Sequence, residues 1–139
     1  MWRMLRLTRA LIALPSLLTV SAFAQTINFE GTYKGAIVLE SGFFADYCDP
    51  SPKNFEQAMM ISGDRIFLAR KGLQHNVVLS GTVNLEGRAS ASGLEEEVLD
   101  TRTGAGGMVL YTLVGQINNN EFTGTMSSRR CGYSVKLKK

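Results

Sequence analysis

The stretch Leu113-Val114-Gly115-Gln116-Ile117-Asn118-Asn119-Asn120-Glu121-Phe122-Thr123-Gly124-Thr125-Met126 decides the fold class. Two apolar-x-Gly-x-apolar segments flank a run of asparagines. Apolar residues at alternate positions line one face of an extended strand, and asparagine tolerates the backbone of a tight turn. The segment therefore reads as strand, turn, strand. In each arm the glycine lies on the apolar side. A glycine there weakens a strand unless the sheet bends sharply or another segment approaches closely.

The same alternation continues on both sides. In Asn28–Glu40, Phe29, Gly31, Tyr33, Gly35, Ile37 and Leu39 share a face. Phe55–Ser62 places Phe55, Gln57, Met59 and Ile61 together, and a Gly63-Asp64 turn leads into Arg65–Arg70. Val77–Leu85 turns Val77, Leu79, Gly81, Val83 and Leu85 inward, and after Glu86-Gly87 comes Arg88–Gly93, a short strand of small residues. Met108–Ile117 and Glu121–Ser128 are the arms of the quoted hairpin. Cys131–Lys138 closes the chain, with Cys131, Tyr133, Val135 and Leu137 inward. The glycine pattern recurs at Phe29-x-Gly31-x-Tyr33 and Leu79-x-Gly81-x-Val83, too irregularly spaced for a solenoid. About eight strands with bent, glycine-bearing inner faces predict an all-β fold. The expected form is a single antiparallel, roughly eight-stranded small barrel, with a β-sandwich as the alternative. Three stretches read as loops: Ser41–Lys53, Arg70–Asn76, and Leu94–Gly107, the last expected to be a mobile loop over one barrel mouth.

The N-terminus has a different character. Arg3, Arg6 and Arg9 precede an apolar run, Ala10–Val20, and Ala22-Phe23-Ala24 matches the small-x-small pattern of a signal-peptidase site. Residues 1–24 are expected to be a signal peptide and 25–139 a single β-barrel-like domain. The apolar run falls short of the roughly 20 residues of a membrane span. Gln25 rather than Cys follows the cut, so no lipid anchor is expected. The 139-residue chain has 15 Lys and Arg against 12 Asp and Glu. The leader removes three arginines and no acid, so the mature domain is balanced at twelve of each sign. Balanced charge argues against a general nucleic-acid binder. The expected location is periplasmic or secreted. In an oxidising compartment the two cysteines, Cys48 and Cys131, are expected to form a disulfide.

Catalytic chemistry finds little material. His75 is the only histidine, which excludes a multi-histidine metal site within one chain. No G-x-S-x-G elbow is present. Glu95, Glu96, Glu97 and Asp100 form an acidic run suited to a solvated or partner-facing loop, and their adjacency does not place carboxylates on opposite sides of a bond. Arg129 and Arg130 beside Cys131, with Lys136 and Lys138 beyond, form a basic strip that either meets an acidic partner or protects a strand edge. Met108–Val114 is apolar on both faces, Val109, Tyr111 and Leu113 on one and Met108, Leu110 and Val114 on the other, which points to cover by a loop or by a second subunit in a homodimer.

Phe29-Glu30-Gly31-Thr32-Tyr33-x-Gly35, the cysteine pair, the Leu-x-Gly-x-Val strands and Cys131-Gly132-Tyr133 resemble small exported barrel-like proteins of bacterial envelopes, which mostly lack an assigned function. The Gly-Thr-aromatic and Leu-x-Gly-x segments are similar to those of avidin-like barrels. Biotin pockets there use tryptophan, and the only tryptophan here is Trp2 in the leader. Ala91-Ser92-Gly93 is similar to the start of the Ser-Gly loop that small-barrel lysozyme inhibitors insert into their target, and Leu94-Glu95 departs from it. Gly31-Thr32-Tyr33 approximates the Gly-x-Trp of lipocalins. The expected function is a non-enzymatic, exported binding or interaction module of the envelope, with neither metal nor cofactor. Its partner is an envelope protein or polymer; the alternative is a small apolar ligand carried in the barrel interior.

Overall fold

A computed structural model describes residues 28–42, 48–100 and 102–139, with the side chains of 41–42 and 97–100 outside the description. The expected leader and its cut before Gln25 lie outside the described residues.

Eight strands follow one another: β1 Gly31–Gly42, β2 Gln57–Ser62, β3 Arg65–Lys71, β4 Asn76–Val83, β5 Arg88–Asp100, β6 Ala105–Asn118, β7 Glu121–Ser127 and β8 Cys131–Lys138. Each pairs antiparallel with the next, and β8 returns to β1, from Lys34↔Lys138 to Gly42↔Cys131. The sheet is a closed barrel, so the sandwich alternative falls. Closure also leaves β8 without a free edge, and its lysines have no edge to protect.

The alternation predicted from the sequence is what fills the interior. Tyr33 and Ile37 of β1, Met59 and Ile61 of β2, Leu79 of β4, Leu113 and Ile117 of β6, and Tyr133, Val135 and Leu137 of β8 form one buried cluster. Full burial stabilises by about 1.5–3 kcal/mol for each large apolar side chain. The glycines let this small circumference close. Gly115 and Gly124 face each other across β6 and β7, and a Cβ on either would lie 2.5 or 3.0 Å from Cζ of Phe122. The fully buried Phe122 ring thus covers the space two side chains would occupy. Asn119 and Asn120, at φ +49° and +62°, turn β6 into β7 in the left-handed conformation of a type I′ hairpin.

Two expectations about the chain path need correction. Residues 94–107 are not a loop: β5 continues to Asp100 and β6 begins at Ala105, a long hairpin in which Leu94 pairs with Leu110 and Glu96 with Met108. Leu85 is not inward. β4 ends at Val83, and Leu85 sits 85% exposed in a turn held by Asn84, whose Oδ1 accepts from the N–H groups of Glu86 and Arg88 at 3.0 and 2.9 Å.

Candidate functional site at the loop end of the barrel

The barrel's two ends differ. One carries the two-residue connections 63–64 and 119–120, the short turn 84–87 and the C-terminus. The other carries the long connection 43–56 together with the connections 72–75, 101–104 and 128–130. Long connections on a rigid scaffold are where binding residues concentrate.

At the loop end the mouth is plugged. Cys48 and Cys131 are disulfide-bonded across 83 positions of sequence. Closing such a loop stabilises by roughly 4–5 kcal/mol in the chain-entropy account. The bond holds the next residue, Asp49, inside the mouth. Its main-chain carbonyl accepts from Nη2 of Arg70 and, at 3.1 Å, from the Tyr133 hydroxyl. Its carboxylate turns outward to the 72–75 connection and accepts from the N–H groups of Leu73 at 2.9 Å, Gln74 at 3.0 Å and His75 at 2.8 Å. Gly72 permits this wrap, because a Cβ there would strike Oδ2 of Asp49. Arg70 is 1% exposed, its guanidinium 4.7 Å from the Tyr133 ring centre, with Nη1 4.0 Å from Oδ2 of Asp49. Gln57 adds a rung, donating to the Lys71 carbonyl at 2.7 Å and accepting from its N–H at 2.8 Å.

This plug is built for rigidity. Three backbone donors occupy the Asp49 carboxylate. His75 enters through its main chain, and no group of three metal-ligating side chains occurs among the described residues.

Neither Asp49 nor Arg70 stood out in the sequence. The available signal was parity: Arg70 follows Ile66 and Leu68 on the inward side of β3.

Outside the plug, the β5–β6 hairpin extends past its neighbours. β4 pairs with β5 only from Ser80↔Ser92 to Val83↔Ala89, and β7 pairs with β6 only from Thr112↔Ser127 to Asn118↔Glu121. Past those pairings β5 and β6 continue together as a two-stranded ribbon, from Gly93↔Tyr111 to Asp100↔Ala105, with Tyr111 at its root fully buried in the core. On one face Leu94, Met108 and Leu110 are 60%, 62% and 52% exposed. Val109, on the other face, packs against the core cluster. A groove of about 460 Å³ lies between Met108, Val109, Leu110 and Thr112 on β6 and residues 127–130 opposite.

The acidic run lies on this ribbon as strand. Glu95 pairs with Val109 and Glu96 with Met108, so their side chains leave opposite faces. The side chains of Glu97 and Asp100 are outside the described residues. Ala91, Ser92 and Gly93 lie in β5, paired with Leu113, Thr112 and Tyr111, away from any connection.

The basic residues divide into two groups. Arg129 and Arg130 occupy the β7–β8 connection at the loop end. Lys136 lies further along β8, and both it and Lys138 pair with Glu121, at 3.6 and 3.3 Å. Between them the Ser134 hydroxyl meets Glu40 at 2.7 Å, so acidic groups interrupt the basic strip.

Compared with protein-family models, curated proteins and solved structures, the chain finds no match in any of the three.

Proposed function

We propose that the protein is an exported, non-enzymatic binding module of the cell envelope, and that it engages a protein partner through the loop end of its barrel. The projecting β5–β6 ribbon carries this reading. Exposed leucine and methionine on a strand that extends past its neighbours form the kind of surface another chain covers, and Leu94, Met108 and Leu110 lie together there. The plug supports it by fixing the loop end at the disulfide and at Asp49, so the ribbon and residues 128–130 stand on a rigid base. A disulfide and a leader-like N-terminus fit the periplasm or the exterior.

The packed interior weighs against the carrier alternative. Tyr33, Met59, Leu79, Tyr111, Phe122 and Met126 fill it without exposure, where a carrier needs open volume.

The test is a photo-reactive side chain placed at Leu110, and separately at Leu85 on the opposite end, in the full chain expressed with its own leader. The proposal expects a discrete cross-linked protein adduct from Leu110 and none from Leu85. Adducts from Leu85 alone, or from neither position, would overturn it.

A further inference from the structure

We propose that the outer wall of the barrel at β3, β4 and β5 docks on the same wall of a second copy of the chain, around a two-fold axis that runs along β4. This pairing is independent of what binds at the loop end.

Charge is unevenly spread around the wall. On the side of β7, β8 and β1, Lys136 and Lys138 pair with Glu121, and Ser134 bonds to Glu40. Across the barrel, β4 has no charged residue from Asn76 to Val83. On a two-fold axis each group meets its own copy, so a charge there would face its like. Such an axis requires an uncharged strand, and β4 is one.

The flanking strands then fit each other. The register sets outward residues in rows: Phe67 of β3 pairs with Ser80 of β4, and Ser80 with Ser92 of β5. In the next row toward the turn end, Arg65 pairs with Thr82 and Thr82 with Ser90. Toward the loop end, Ala69 pairs with Val78, and Leu94 is the next outward residue of β5 after Ser92. An axis lying in the contact plane along β4 sets each β3 residue opposite the β5 residue of its row in the other copy. Phe67 then faces Ser92, Arg65 faces Ser90, and Leu94 faces Ala69. Every pairing is one large side chain against one small one, so the wall is complementary to itself. A depression of about 340 Å³ lies over Ser80, Thr82, Ser90 and Ser92, and it receives Phe67 of the second copy. Phe67, Val78 and Leu94 are 45%, 49% and 60% exposed, and pairing takes them out of water.

In a closed eight-stranded barrel β2 and β6 stand a quarter of the way round from β4, so the contact ends with β3 and β5. Three strands about 4.8 Å apart and five residues about 3.3 Å apart span a patch of roughly 14 by 17 Å. That is the size of a weak, concentration-dependent pair. Because the axis follows the strands, both loop ends emerge on the same side, as a bivalent contact requires.

The test is sedimentation equilibrium of the purified protein with its disulfide intact, from micromolar to millimolar, on the wild type and three variants. Phe67→Ser removes the side chain that fills the depression, and Ser92→Phe closes the depression to it. Each should weaken association at least tenfold. The double variant Phe67→Ser/Ser92→Phe exchanges large and small, so it should regain most of the wild-type association. Both positions are exposed, and all three variants are expected to keep the wild-type urea midpoint. A short bismaleimide should join two chains carrying Ser80→Cys, which lies on the axis, and leave single those carrying Thr123→Cys on β7. A monomer throughout the range overturns the proposal, as does association indifferent to the single variants. A double variant no better than either single one overturns it too, and so does equal cross-linking from Thr123→Cys and Ser80→Cys.

Discussion

Arg70 and Asp49 meet inside the barrel mouth through a main-chain carbonyl, while the Asp49 carboxylate, its Oδ2 4.0 Å from Nη1 of Arg70, is hydrogen-bonded by the N–H groups of residues 73–75. The Asp49 carbonyl is thus held by strands β3 and β8 and its carboxylate by the 72–75 connection, and that asymmetry sets the order of two substitutions. Arg70→Met removes one donor and leaves the carboxylate fully hydrogen-bonded. The expected loss is about 2 kcal/mol. Asp49→Ala strips three N–H groups of their acceptor and leaves the buried guanidinium without its nearest acid, an expected loss of about 4 kcal/mol. Urea denaturation of both variants with the disulfide intact checks the order, and equal losses would show that the carboxylate contributes little.

The Gly115–Gly124 pair gives a prediction about closure. A Cβ on Gly124 would press on the Val114 carbonyl and lie 2.8 Å from the Gly115 Cα, neither of which a side chain can yield. Gly124→Ala is expected to destabilise by about 2–3 kcal/mol, the range of overpacked cores. Gly115→Ala meets both the Phe122 ring and the Thr123 carbonyl, each at 2.5 Å, and only the ring can be trimmed. Part of its loss should be recovered in combination with Phe122→Leu, as a double-mutant cycle in denaturant would show. Simple additivity would mean that the ring is not what the glycine accommodates.

Alkaline pH tests the interior. Burial pushes the Tyr33 phenol above its ordinary value of 10.0. The folded chain holds that proton more tightly than the unfolded chain does. This contribution is therefore complete below about pH 10 and is lost as pH rises through the higher folded value. Tyr33 also donates to the Phe29 carbonyl at 2.9 Å. Tyr33→Phe should lose about 1 kcal/mol at neutral pH and show a shallower fall in stability above pH 10. Unfolding midpoints measured from neutral to strongly alkaline pH would report both effects.

How much of this was legible beforehand depends on what faces each strand. Where one side meets the core and the other meets water, period-2 alternation shows through, and β2, β3 and β8 were readable for that reason. The far half of β5 was not. Glu95-Glu96-Glu97 is poor strand sequence by propensity, and the residues that pack this ribbon on the core, Val109 and Tyr111, lie on the β6 arm, so the glutamates carry no apolar alternation of their own. Only pairing with β6 makes it a strand. Leu85 misled in the opposite way, because alternation run past Val83 carries into a turn that Asn84 had already closed. The plug escaped because Arg70 and Asp49 lie on separate segments 21 positions apart, and only the closed barrel brings them together.

The central claim is a filled barrel that recognises its partner from outside, and native mass spectrometry of the protein purified from the periplasm without reductant tests it most directly. The account predicts a chain starting at Gln25, two hydrogens lighter than the reduced mass, with no small molecule retained. A reproducible non-covalent adduct of one apolar small molecule would contradict it, because the interior occupied by Tyr33, Tyr111 and Phe122 would then have to open.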